Sequence, residues 1–311
     1  MTPRDDAPPS ALPSYRTESA RREHNGLPYF PGTVRRTLSN TPYFTDPGVM
    51  LLAQTSIDLA PMQAFLDQFD TDLKFRGYLI DPVWADEGTQ LVKTAGQLCY
   101  FAFGEKRTLN KDADRYIEHI LESKHGSVLE HVSYTFLLYG VSRSFTHELV
   151  RHRVGIGFSQ VSQRYCGEGT LRFVRRPEYA DDPIGEHRFR ERIDRATEEY
   201  TAETERLMER MRADKAFKKL PLTEQRKSVR QAARALLPNE TEAPIVVTGN
   251  ARIWRHFLQM RGSREAEWEI REVALRICYI LQHASQLFAD FKEVSIPGTT
   301  RLGLEPGYAN V

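Results

Sequence analysis

Ser127–Ser142 reads SVLEHVSYTFLLYGVS. Val132, Tyr134, Phe136 and Leu138 alternate with smaller or polar neighbours, and Gly140 ends the run, which is the period-two pattern of a strand. Immediately upstream, Asp112–Lys124 has amphipathic helical spacing with Ile117, Ile120 and Leu121 on one side, and Gly126 breaks it. Immediately downstream, SRSFTHELVRHR (142–153) fits a helix capped by Ser142 or Ser144. Gly155 and Gly157 then read as a loop whose polar residues continue to Tyr165, and Leu171–Val174 reads as a short strand.

The pattern extends in both directions from this centre. VMLLAQTSI (49–57) reads as a strand, PMQAFLDQF (61–69) as helix, and Gln90–Phe103 as a further helix. Ile184–Arg212 is a long charged helix, and Thr223–Leu236 makes another that stops at Pro238. Ile245–Asn250 (IVVTGN) is a strand turning into a helix over Ala251–Met260, and a last helix is expected over Arg264–Phe291. Residues 1–45, rich in Pro, Ser, Thr and charge, read as a flexible extension or a strap on a neighbouring subunit. Few strands and several long helices, with no internal repeat, predict an α+β protein.

Composition excludes several classes. With 40% hydrophobic and 27% charged residues, the 311-residue chain is ordinary for a globular protein. No apolar run has the length of a membrane span, and the N-terminus lacks the apolar core of a secretory signal, so no membrane role and a cytoplasmic location are expected. A net charge of +1 argues against a protein whose whole surface binds nucleic acid. Cys99, Cys166 and Cys278 are scattered and odd in number, suggesting neither a disulfide framework nor a zinc knuckle. His147-Glu148 followed by His152 places the histidines five apart, off the single helical face that a zincin needs, so no metal is expected. Walker A and GxGxxG sequences are absent.

Two clusters carry the chemistry. RHRVGIGFSQVSQRY (151–165) gathers Arg151, His152, Arg153 and Arg164 with the hydroxyls of Ser159, Ser162 and Tyr165. Arginine forks match paired phosphate oxygens, and hydroxyls fill remaining acceptors, so a dinucleotide pyrophosphate and a nucleotide monophosphate both suit the run. A solvated basic helix end fits the same residues. NARIWRHFLQMR (250–261) sets Asn250 as a helix cap, crowds Arg252, Arg255 and His256 at one end, and adds Arg261 further along. There too the apolar residues suit a core, and some arginines suit simple salt bridges.

These runs carry a family likeness. RHRVGIGFSQVSQRY resembles the signature of the flavin-dependent thymidylate synthases, in which Arg-His-Arg precedes a serine at a fixed gap. KHGSVLEHVSYTF (124–136) is similar to the family's histidine-containing FAD segment. RQAARALLPNETEAPIVVTGNARIWRHFLQMR (230–261) is similar to its second nucleotide segment, and AEWEIR (266–271) to the helix that follows. The resemblance spans roughly Gly48 to Phe291. One departure stands in the signature: eight residues, Val154–Val161, precede Ser162, one more than the family spacing, and the glycines of VGIG can absorb the extra residue.

The likeness implies a mostly antiparallel sheet flanked by long helices, with one catalytic domain over 46–311. It implies an enzyme that converts dUMP to dTMP with methylenetetrahydrofolate as carbon donor, FAD as hydride donor and NADPH as reductant. His125, Ser127, Glu130, Arg151, His152, Arg153, Gln160, Asn250, Arg252 and His256 would hold FAD. Glu148, Arg151, Gln160, Ser162, Gln163 and Arg164 would hold dUMP, with Arg234 reaching the phosphate from a neighbouring subunit. Arg261 would engage the uracil ring and act as the catalytic cation. A homotetramer with shared active sites is implied. Two other classes stay open on the sequence: a flavoprotein methylating uracil in RNA, and a basic nucleic-acid-binding protein, which would be colourless and strongly salt-dependent.

Overall fold

The computed structural model describes residues 21–79, 81, 83, 85–165 and 167–311. Two short pairs open the described chain: β1 (Arg22–His24) with β2 (Leu27–Tyr29), and β3 (Thr33–Arg36) with β4 (Pro42–Asp46). The segment expected as an extension to residue 45 forms these strands over 22–45. Phe30, Tyr43 and Phe44 bury their rings completely, and that burial holds the segment on the body. Residues 1–20 of the same expectation lie outside the described residues.

β5 (Gly48–Gln54), α1 (Ala60–Leu66), α2 (Glu87–Cys99) and α3 (Ala113–Glu122) follow, then a 3-10 segment at Gly126–His131. Next come β6 (Ser133–Tyr139), α4 (Arg143–Leu149), β7 (Ile156–Gln160) and β8 (Phe173–Val174). The long α5 (Pro183–Arg212) leads through α6 (Lys215–Lys218) to α7 (Leu222–Ala233). β9 (Ile245–Asn250), α8 (Ala251–Arg261) and α9 (Trp268–Ala284) come next, and a hairpin, β10 (Lys292–Ser295) with β11 (Leu302–Glu305), follows.

The main sheet has the order β5-β6-β9-β7, and every pairing in it is antiparallel. The alternation in β6 does what its period requires. Tyr134, Phe136 and Leu138 are buried, while Thr135 faces away and its hydroxyl meets Thr248 of β9 at 2.9 Å. α8 packs on the apolar face through Trp254, whose ring meets Phe136 edge-on at 5.0 Å and whose Nε1 donates to Tyr134 O at 3.1 Å. α9 is buried nearly all round, so it forms the centre of the core and not a surface helix. The chain is thus α+β with an antiparallel main sheet.

Two expectations are corrected. The Gly155–Tyr165 loop contains a strand, β7, because Ile156–Gln160 pairs by main chain with Ile245–Gly249 and needs no side chain at Gly157. The last helix stops at Ala284, well short of Phe291, because Ser285 takes an extended conformation and its Oγ caps the next short turn through Leu287 N.

Candidate functional site

α8 is the spine of the site. Asn250 leaves β9 in extended conformation, and its Oδ1 accepts from Ile253 N at 2.9 Å, capping the helix. Helical spacing then presents Arg252 and His256 one turn apart, with Arg261 at the far end. At the near end Arg252 Nη1 donates to Glu130 Oε1 at 2.6 Å, tying α8 to the 3-10 segment that also carries the exposed Ser127 and follows the exposed His125. At the far end Arg261 Nη1 donates to Glu148 Oε2 at 2.9 Å and Arg261 Nε to His152 Nε2 at 3.1 Å. His152 also meets the ring of His256 edge-on, at 5.7 Å.

The Arg261 contact fixes the state of His152. Its Nε2 accepts a hydrogen bond, so the ring is neutral with its proton on Nδ1. Burial, helped by the Arg261 guanidinium and His256, pushes its pKa down to about 4. Between pH 6.5, its ordinary value, and about 4, the unfolded chain binds a proton that the folded protein refuses, so stability falls as pH drops through that window. The melting temperature should decline more steeply over this range in the parent protein than in His152→Gln. Parallel profiles would contradict the assignment.

α4 is set by a buried carboxylate. Ser142 Oγ accepts from Phe145 N at 3.1 Å, and Glu269 of α9 in turn accepts from Ser142 N and Oγ, both at 2.7 Å. Arg176 Nη1 reaches the same carboxylate at 2.9 Å. This anchorage aims the two adjacent residues His147 and Glu148 to different places. Glu148 meets Arg261, whereas His147 lines a cleft of about 400 Å³ with Arg143, Gln163, Gln231 and Arg234.

That cleft contains no carboxylate side chain among its lining residues. Burial and the neighbouring Arg234 guanidinium hold Arg143 below the usual arginine range. Two cations facing one cavity without an anion between them make a site for an anionic ligand. Arg143 does not stand out in the sequence, and His147 stands out there only as a rejected metal ligand. The signal was present in the unpaired polarity of SRSFTHE, but the cleft forms only when the turn after α7, Arg234–Leu236, comes beside α4.

The remaining expected residues are placed less closely. Arg151 and Arg153 are exposed, and Arg151 Nε donates to His147 O at 3.3 Å within its own turn. Gln160 ends β7, and Ser162 Oγ accepts from Arg164 N at 3.4 Å. Arg164 Nε is buried with no acceptor among the described residues. No hydrogen bond joins Gln160–Arg164 to α8 among the described residues. Arg255, one of the crowded arginines of the sequence, is structural: it forks onto Asp290 at 2.6 and 2.8 Å. Cys278 is buried and its thiol is pushed up by burial, Cys99 is exposed, and Cys166 lies outside the described residues.

Comparison with known proteins bears on this arrangement. A family model described as thymidylate synthase complementing protein matches residues 79–285. The flavin-dependent thymidylate synthase of Mycolicibacterium vanbaalenii is 42% identical over 223 residues, covering 71% of this chain and 87% of its own length. Those of Mycobacterium avium and Mycobacterium tuberculosis are 42% and 40% identical over the same shares. The matched span contains α8, α4, the Arg151–Tyr165 run and the Arg143–Arg234 cleft. With that coverage and identity, the chain belongs to the flavin-dependent thymidylate synthase family.

Proposed function

We propose that this protein converts dUMP to dTMP. FAD, reduced by NADPH, supplies a hydride, and methylenetetrahydrofolate supplies the carbon. The donor set suits an anionic dinucleotide: the first turn of α8 carries Arg252 and no acidic residue, and among the described residues Glu130 is the only side-chain carboxylate bonded to that arginine. His125, Ser127, Glu130, Arg151, His152, Arg153, Gln160, Asn250, Arg252 and His256 would hold the flavin. Glu148, Arg151, Gln160, Ser162, Gln163, Arg164, Arg234 and Arg261 would hold dUMP.

Arg261 carries the reading. Carbon 5 of uracil is a weak nucleophile, and ring activation places negative charge on the pyrimidine. A guanidinium fixed by Glu148 and His152, with no hydrogen bond on Nη2 among the described residues, is a preorganised donor for that charge. Being permanently cationic, it binds and stabilises without exchanging a proton. His152 stays neutral beside it, so no second cation competes for the ring.

The Arg143–Arg234 cleft suits the phosphate of dUMP bound to the neighbouring subunit, and the unsatisfied Arg164 Nε suits that of its own subunit's dUMP. Arg234→Ala should raise KM for dUMP by about 10- to 100-fold, the loss of one or two charge-assisted hydrogen bonds, with kcat changed little. Initial rates against dUMP concentration measure this, and an unchanged KM would remove Arg234 from the site. The assembly belonging to this reading is a homotetramer with shared active sites, which light scattering tests. The catalytic unit we assign is the single domain over 46–311, on which the strands of 22–45 pack.

A further inference from the structure

The chain beyond β11 returns along α8. Gly307 N donates to Asp290 O at 3.0 Å, and Tyr308 N to Asp290 Oδ2 at 3.1 Å, the same carboxylate that holds Arg255. Asn310 turns in the left-handed region, φ 57°, which asparagine tolerates. It exchanges two hydrogen bonds with Gln259, its N donating to Oε1 at 3.2 Å and its Oδ1 accepting from Nε2 at 3.3 Å. Gln259 lies two turns from Arg252 on the same face of α8. Val311 O then accepts from Arg252 Nε at 3.3 Å.

The junction is close-packed on its other side. A Cβ on Gly126 would stand 2.8 Å from the Val311 carbonyl carbon and 2.9 Å from Arg252 Nε, so only glycine admits both. Gly126 begins the segment that supplies Ser127 and Glu130. Arg252 is therefore held at two nitrogens, by Glu130 and Val311, while Nη2 has no hydrogen bond among the described residues. These last residues lie outside the matched span of 79–285.

We propose that residues 307–311 are a strap that positions Arg252 for the flavin phosphates and so sets flavin affinity. This rests on the functional reading above. A long side chain ordered before its ligand arrives loses less freedom on binding, and the strap supplies that order.

The test is titration of FAD into deflavinated protein, followed by quenching of flavin fluorescence. Deletion of residues 309–311 should raise the FAD Kd about 10-fold, and Gln259→Ala, which removes both Asn310 hydrogen bonds at full length, about 3-fold. Dissociation constants for dUMP at saturating FAD should not move. Because the strap acts through Arg252, the deletion should add less than about 2-fold when made in Arg252→Ala. An FAD Kd unchanged by either variant overturns the strap, as does a deletion effect of the same size in Arg252→Ala, which would mark a general structural role. Full-length protein that binds no FAD overturns the functional reading itself, and the strap with it.

Discussion

Arg261→Ala is expected to lower kcat/KM for dTMP formation by about 10²- to 10³-fold, the usual cost of removing one preorganised donor from a developing anion. The effect should fall mainly on kcat, because the charge it stabilises grows only as the ring reacts. Arg261→Lys should recover little. One ammonium is a point charge, and it cannot reproduce a planar fork that meets Glu148 and His152 through different nitrogens and keeps a third edge for substrate. Arg261→Ala also takes away one of the charges that keep His152 neutral, so the histidine should titrate at higher pH in that variant. Arg261 is partly exposed and lies outside the apolar core, so the melting temperature should barely change. A variant that keeps parental kcat/KM would show that Arg261 does not touch the reacting ring.

The second large effect is on stability. Glu269→Ala should cost about 1–3 kcal/mol, because it removes a buried, hydrogen-bonded carboxylate, while Arg176 keeps its ion pairs with Glu267 and Glu178. It would also strand the Ser142 N–H and hydroxyl in a dry environment. Chemical denaturation measures the loss directly. Activity should fall further than the folded fraction does, since α4 carries both His147 of the cleft and Glu148 of the Arg261 contact. A loss below about 1 kcal/mol would show that Ser142 alone sets the start of α4.

How much of this was legible in the sequence depends on what kind of signal each element carries. The alternation at Val132–Leu138 identified the central strand, since one buried face leaves a period-two trace. Asn250 was readable as a cap, and Ile184–Arg212 as a long helix, observed over Pro183–Arg212, for equally local reasons. β7 was not readable: Gly155 and Gly157 advertise a loop, and the strand exists because β9 offers it an edge. The strands between Arg22 and Asp46 were hidden by polar composition, although Phe30, Tyr43 and Phe44 each find a core pocket.

The site divides in the same way. Arg-His-Arg and the α8 arginines were conspicuous as residue types. Which arginine serves a ligand was not, because Arg255 and Arg252 differ only in the face of α8 they occupy: one forks onto Asp290, the other stands at the edge with a free side. Arg143 and Glu269 escaped notice because their partners, Arg234 and Ser142, are distant in the chain.

One measurement bears most directly on the whole account: dTMP formed from dUMP by purified protein with FAD, NADPH and methylenetetrahydrofolate, each omitted in turn. The account predicts dTMP that disappears when any one of them is left out. Flavin-containing protein that forms no dTMP, yet methylates uracil within an RNA, would contradict it.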